Sequence, residues 1–329
     1  MANTIDLFCW PKKDDLQSFS PHCLAVMAYS QFSKASVRVH KCARLQQYTA
    51  SLPVAYNNGK MIEGMESVFT FMRSQGWNAD YGLSEKQQAD TLAFEALVKD
   101  KLEPAILHLQ FVNAENFSNC VRGYYANACS FPWNFYIPGR LQKRAQLTLS
   151  ALQPTSNRKS DLPDSSLQKK VITEARHCLS LLSKFLHDKE FLFGDSPRTM
   201  DAVLYGYLAF LLKSNLPNNV LCAHIRGCPN LNRFVCHVDD QFMKSVPKAS
   251  TTDASVIIPR LSLSDDRKAQ LKVLASIGIG VTAMLAYALL SGIISITLED
   301  DPDADYVTFS VDNRCDDTQH EETTDNSQQ

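Results

Sequence analysis

Five metal-capable side chains, Cys222, His224, Cys228, Cys236 and His237, fall within sixteen residues. A zinc site draws its ligands from close pairs at set spacings. The spacing here matches no such framework, and two helices with ordinary apolar faces account for all five, so no metal is expected. Ten cysteines lie singly between Cys9 and Cys315, with no CxxC pair. Thiol–disulfide exchange needs a resolving thiol beside an exposed one; Cys9 sits inside an apolar stretch and has none two residues on. Scattered single thiols in a chain this long read as a reducing compartment. Arg140, Lys143 and Arg144 follow the aromatic run FPWNFY at 131–136. They form either a docking surface beside aromatics or, the reading preferred here, the solvated start of a helix.

These residues need elements to hold them. With 329 residues, 45% hydrophobic and 21% charged, the chain has enough apolar material for two cored domains with appendages, which excludes wholesale disorder. The near balance of 33 basic and 35 acidic residues lacks the footprint of a nucleic-acid binder, and no nucleic-acid partner is expected. The charges are unevenly placed: residues 299–329 hold eleven acidic residues against one basic, Arg314. The N-terminus, MANTIDLFCWPKKDD, has neither a secretory signal pattern nor an Arg- and Ser-rich presequence. Residues 273–298 are uncharged throughout. As a helix they would measure about 39 Å, against roughly 30 Å of hydrocarbon. Arg260, Arg267, Lys268 and Lys272 precede the run and acidic residues follow it. This pattern predicts a transmembrane tail anchor with the N-terminal body in the cytosol.

Ahead of that run, TIDLFCW at 4–10 reads as a strand. Ser20-Pro21 opens a helix with Ser as N-cap and Pro in the first turn, and residues 35–42 form a second strand. Leu52-Pro53 precedes a short strand, a turn at Asn57-Asn58-Gly59, another strand and a helix from Glu66 to about Arg73. This βαβ–hairpin–helix order is that of a thioredoxin-like domain, with Pro53 as its cis-proline. Beyond Gly82 the pattern is helical. Ser84 and Gln87 fit a capping box, and Pro104 is expected to bend or break the helix they open. A loop covers 150–168, and an amphipathic helix runs over 169–188. Thr199 is expected to cap an almost wholly apolar helix over 201–212, and Cys228-Pro229 opens another. The domains expected are 1–78 thioredoxin-like, 79–246 helical bundle, 247–272 linker, 273–298 transmembrane helix and 299–329 acidic tail.

An α/β thioredoxin-like domain followed by an all-helical bundle with a buried central helix resembles the glutathione transferase architecture. The segments LFCW at 7–10, NADYGLSEKQQADTLAF at 78–94, FPWNFYIPGR at 131–140, EARHCLSLLSKFL at 174–186, FLFGDSPRTMDAVLYGYLAFLL at 191–212 and YALLSGIIS at 287–295 narrow the resemblance to the metaxins, proteins of the mitochondrial outer membrane, and in particular to the tail-anchored paralogue of that family. The likeness covers nearly all of residues 4–245 and reaches the uncharged run.

The transferase resemblance implies where glutathione would lie. Its cysteinyl group would pair with backbone before Pro53, and its γ-glutamyl end would meet Glu66-Ser67. Its thiol would be activated near Ser18, Ser20 or Cys23. Each has a structural alternative: Ser20 caps a helix, Pro53 serves the fold, Glu66 suits a helix N-terminus, and Cys23 is expected to be buried. No catalytic residue and no cofactor are therefore expected; Ser20, Pro53, Glu66 and Ser67 would be the binding set if the chain were an enzyme. The metaxin resemblance implies a non-enzymatic subunit of the outer-membrane sorting and assembly machinery. Its partners would be a second, soluble metaxin, the β-barrel core protein of that machinery and imported precursor proteins. The alternatives are a tail-anchored glutathione transferase and an adaptor for mitochondrial morphology or transport.

Overall fold

The computed structural model of the chain describes residues 4–41, 51–152, 165–245, 280, 282–284, 294–295 and 310–311. Residues 1–259 form one compact unit and 260–329 another.

Four strands make the sheet of the first unit, in the order β2-β1-β3-β4. The strand β1 (Ile5–Cys9) is buried along its whole length, as befits a central strand, and its one charged residue, Asp6, lies 2.8 Å from His40 Nε2. It pairs in parallel with β2 (Val37–Lys41), Ile5 opposite Val37, and antiparallel with β3 (Val54–Asn57), Leu7 opposite Ala55. Asn58 and Gly59, both at positive φ, turn the chain into the exposed edge strand β4 (Lys60–Glu63). That two-residue turn with both φ positive is the one whose twist matches a hairpin. The helix α1 (Pro21–Phe32) fills the crossover from β1 to β2, its N-terminus capped by Ser20, and α2 (Met65–Ser74) follows β4. The Leu52-Pro53 peptide is cis, as the sequence predicts; a second cis peptide, Phe131-Pro132, has no sequence signal of its own.

Every element described between residues 85 and 245 is helical. The helix α3 (Glu85–Leu97) carries both halves of the Ser84–Gln87 capping box. Pro104 does not break the helical path as expected. A π-helical turn over 98–102 widens the path ahead of it, and Pro104 falls in the first turn of α4 (Glu103–Leu107), where its missing N–H costs little. After α5 (Arg122–Ala128) comes α6 (Trp133–Ala151), which places Arg140 two turns in and corrects the reading of that residue as a helix start. The next helix, α7 (Ser165–Leu186), begins four residues before the expected 169; of the expected loop, residues 153–164 lie outside the described residues. Its Val171, Ala175, Cys178 and Leu182 are buried on one face.

The apolar helix is α8 (Thr199–Lys213), buried at every position from Thr199 to Leu211. Thr199 is its first residue rather than its cap. Arg198 holds the cap position, and the Asp201 carboxylate accepts the Arg198 backbone N–H at 2.8 Å. A carboxylate in the first turn both satisfies a free donor and suits the helix dipole. Helices α9 (Val220–Arg226) and α10 (Pro229–Gln241) complete the bundle, with Leu231, Phe234 and Val238 buried as expected. The sheet and the bundle share a continuous apolar core. Its tightest point is Gly206 of α8: a Cβ there would stand 2.4 Å from the Pro21 carbonyl oxygen and 2.8 Å from the Ala25 nitrogen. Only a residue without a side chain lets the α1 and α8 backbones approach so closely.

In the second unit, Gly280 and residues 282–284 are helical, whereas β5 (Ile294–Ser295) pairs antiparallel with β6 (Ser310–Val311). A helix over 273–298 therefore does not run unbroken to its expected end. Ile293, Ile294, Ile296 and Thr297 make that end β-branched, which favours extended backbone. Among the described residues, no helix is long and apolar enough to cross a membrane; most of 273–298 lies outside them.

Candidate functional site

Within residues 1–259, one cleft of about 850 Å³ opens between the start of α1, the start of α2 and the helical run from α3 to α4. Ser20, Glu66 and Ser67 line it, and so do Ser51 and Leu52, the two residues before Pro53. Pro53 itself is buried at the head of β3. The structure thus brings three of the four glutathione-type residues to one cleft and keeps the fourth in the wall behind it.

Their partners are structural. Ser20 Oγ accepts the Cys23 backbone N–H at 3.5 Å, as an N-cap should. The exposed Glu66, in the first turn of α2, lies 2.7 Å from Lys99 Nζ and holds that amine above its usual range by this hydrogen bond and by charge. Ser67 is exposed, with Glu66, in the first turn of α2. Cys23 is wholly buried, as expected. Burial pushes its thiol up, but hydrogen bonds with Cys9, the Trp10 backbone, Ser20 and Ser18 outweigh that and leave it below the ordinary value. The thiol is eased toward ionisation at a place no electrophile reaches, since Cys23 and Ser18 are both 0% exposed.

The cleft also holds a cluster without a local sequence signal. His22 Nε2 is 2.9 Å from the Tyr207 hydroxyl and 3.5 Å from Glu103 Oε1, and the Tyr207 hydroxyl donates to Glu103 Oε2 at 3.4 Å. The three come from α1, α4 and α8, more than eighty residues apart in sequence at the closest, so no window of sequence contains them. Burial first, and the adjacent Glu103 charge second, hold the Tyr207 phenol well above its usual range. It is a donor here and not a phenolate nucleophile. Two further wall residues carry buried polar atoms without a partner among the described residues: Glu95 Oε1, on a carboxyl that burial raises, and Gln110 Nε2. A cleft with one unpaired acceptor, one unpaired donor and a hydrogen-bonded trio can hold a polar ligand.

A second polar cluster explains two of the long motifs. Asp80, from NADYG, accepts hydrogen bonds from the Thr199 backbone N–H at 2.9 Å, the Thr199 hydroxyl, and Arg73 Nη2 at 3.2 Å. Arg198, from SPRTMD, donates to the carbonyls of Ala79 at 2.9 Å and Tyr81 at 2.6 Å. The buried Asp201 accepts from the Leu192 N–H as well as Arg198, each at 2.8 Å. Burial pushes its carboxyl up to about 7, with those two hydrogen bonds opposing. The segments at 78–94 and 191–212 thus bond to each other, a joint between the end of the sheet region and the central helix.

The metal-capable residues of α9 and α10 have other engagements. His224 Nε2 lies 3.1 Å from Ser180 Oγ, the His237 ring meets Phe191 edge-on at 5.5 Å, and Cys236 is exposed. Among the described residues, no three His, Cys, Asp or Glu side chains are grouped to hold a metal ion.

The profile of the family Tom37, outer mitochondrial membrane transport complex protein, matches residues 23–142, and that of the glutathione S-transferase C-terminal domain matches 175–238. The chain is 36% identical to Metaxin-1 of Mus musculus over 308 residues, covering 90% of this chain and 93% of that protein. It is 37% identical to Metaxin-3 of Danio rerio over 235 residues, covering 71% and 74%. It is 27% identical to the Metaxin-1 homolog of Drosophila melanogaster over 317 residues, covering 93% and 95%.

Proposed function

The chain belongs to the metaxin family, and from that premise we propose that it acts in transport at the mitochondrial outer membrane as a non-enzymatic subunit of the sorting and assembly machinery. In this reading a thioredoxin-like part (1–78) and a helical part (79–246) form a cytosolic body, a linker (247–272) follows, and an apolar segment within 273–298 holds the body at the membrane. The body supplies a binding surface for imported precursors beside a soluble metaxin and the β-barrel core protein. One observation carries the reading: the likeness runs along 90% of the chain rather than through one shared domain. The cleft adds support for a binding rather than a catalytic role, because Ser20 and Glu66 are taken up by Cys23 and Lys99.

The physical role of the anchor is concentration. A body tethered near the assembly site meets its partners at an effective concentration that a free copy does not reach. The test is the rate at which radiolabelled porin reaches its mature complex in mitochondria depleted of this chain. That rate is expected to fall while precursors with cleavable presequences import at nearly the normal rate. An unchanged porin rate, with the chain verified absent and no paralogue compensating, removes the assembly role. For the membrane segment, truncation at Lys272 is expected to release the body into the carbonate-soluble fraction.

A further inference from the structure

From Asn116 to Ser160 the chain has no aspartate or glutamate and six cations: Arg122, Arg140, Lys143, Arg144, Arg158 and Lys159. Within this stretch the start of α6 pushes aromatic rings into solvent. Phe131 is 80% exposed, Phe135 77% and Tyr136 61%, and the first two rings meet edge-on at 6.3 Å. On a helix, Tyr136, Arg140, Lys143 and Leu147 follow one another at spacings of four, three and four, and so share a face. Arg140, Lys143 and Leu147 are exposed, and neither cation makes an ion pair among the described residues. Arg144 is separate: it turns to the cleft and reaches Ser51 Oγ at 3.3 Å.

We propose that the exposed start of α6, made of Phe135, Tyr136, Arg140 and Lys143 with Phe131 just ahead of the helix, is a membrane-contact patch that lays the body on an anionic phospholipid surface. The charge favours lipid over a protein partner. A protein surface mixes both signs, whereas an anionic leaflet is uniformly negative and rewards a stretch purged of carboxylates. The shape agrees. Rings this exposed protrude, whereas the anchors of protein interfaces are usually seated in pockets. Phe and Tyr beside Arg and Lys are also the side chains that settle at the boundary of headgroups and acyl chains. The proposal rests on the membrane residence argued above, since a tethered body needs only a weak patch to stay down.

The test places a benzophenone photoprobe at position 135 of the full chain, reconstituted with vesicles of phosphatidylcholine alone or phosphatidylcholine mixed with phosphatidylserine. Lipid adducts are expected on the mixed vesicles and few on the neutral ones. Each basic residue near an anionic surface is worth roughly fivefold in occupancy, so Arg140→Gln with Lys143→Gln should lower the adduct yield on mixed vesicles at least about fivefold. Carbonate resistance of the same samples reports the anchor separately. Adducts without resistance uphold the patch and sink the span. Resistance without adducts, or equal yields on both vesicles, overturns the patch. The same probe in intact mitochondria overturns it by giving protein adducts in place of lipid ones.

Discussion

The helices α1 and α8 build two places that differ in every physical respect. Along their seam, Gly206 lies against the Pro21 carbonyl, and the joint at the head of α8 spends each carboxylate on two or more donors. One residue further along each helix, His22 and Tyr207 turn into a cleft, also lined by Pro21, whose Glu66 is exposed and whose Glu95 and Gln110 hold polar atoms without partners among the described residues. The seam tolerates almost no change of atom; the cleft is roomy. The lesson is that a long, specific motif can mark a demand of the fold. NADYG and SPRTMD, two motifs that carry the family resemblance, bond to each other in the fold.

The largest effect should therefore come from one methyl group in the seam. Gly206→Ala brings a Cβ against backbone atoms of α1, which cannot swing aside as a side chain would. Overpacking typically costs about 1–3 kcal/mol and occasionally more, and neighbours that are backbone put this site toward the top of that range. Urea unfolding of the full chain in mild detergent, followed by tryptophan fluorescence, reads it. A cost below about 1 kcal/mol would mean that the seam yields, and the contrast with the cleft would dissolve.

The joint should come next. Asp201→Asn keeps one acceptor and turns an amide N–H toward the second backbone donor, which costs about 1–3 kcal/mol. The pH dependence sharpens the point. Burial raises the Asp201 carboxyl to about 7 in the folded state, against 3.8 ordinarily, so the folded chain holds that proton more tightly than the unfolded one. The stability this group lends is complete below about pH 4 and is lost as the pH rises toward 7, a change on the order of a few kcal/mol. Unfolding free energies across that window should slope downward for the native chain and less steeply for Asp201→Asn. Parallel slopes would assign the dependence to another group.

The sheet region was legible because its signals are local: the Ser20-Pro21 start, the Asn58-Gly59 turn and Pro53 each announce themselves within a few residues. The bundle was legible where a helix is apolar on one face, as in α7, or on all faces, as in α8. What escaped depends on partners far away in sequence. Pro104 reads as a breaker until the π-helical turn before it is seen to make room. Thr199 reads as a cap because its hydroxyl is of the right kind, yet that hydroxyl goes to Asp80, and Asp201 does the capping. The set Ser20, Pro53, Glu66 and Ser67 came from the transferase resemblance and not from any local signal; Ser20, Glu66 and Ser67 line one cleft, and Pro53 is buried. The His22–Glu103–Tyr207 cluster was not legible, because three helices meet only in the folded chain.

A smaller effect separates capping from catalysis at Ser20. Its hydroxyl holds the Cys23 N–H at the head of α1, so Ser20→Ala should cost about 1 kcal/mol. Turnover of an electrophile such as 1-chloro-2,4-dinitrobenzene with glutathione should be absent before the change and after it. Robust turnover in the native chain that vanishes in Ser20→Ala, with Ser18→Ala and Cys23→Ala as companions, would make the cleft an active site.

The smallest expected effect is the most discriminating. Glu66 and Lys99 form an ion pair with both side chains mostly in water, 69% and 60% exposed, where screening and side-chain entropy leave little net gain. Glu66→Gln should move the unfolding free energy by less than about 0.5 kcal/mol, and Ser67→Ala, also exposed, should do no more. Stability thus stays silent at these two positions, and any change in ligand binding is a direct reading of their chemistry. Calorimetric titration with glutathione is the measurement. If the pair serves only α2 and its neighbour, native chain and variants give the same trace. If glutathione binds the native chain and Glu66→Gln abolishes that binding, the carboxylate is held for a γ-glutamyl amine rather than for Lys99. The cleft would then share with the seam a strict requirement for residue identity, enforced by a ligand instead of by packing.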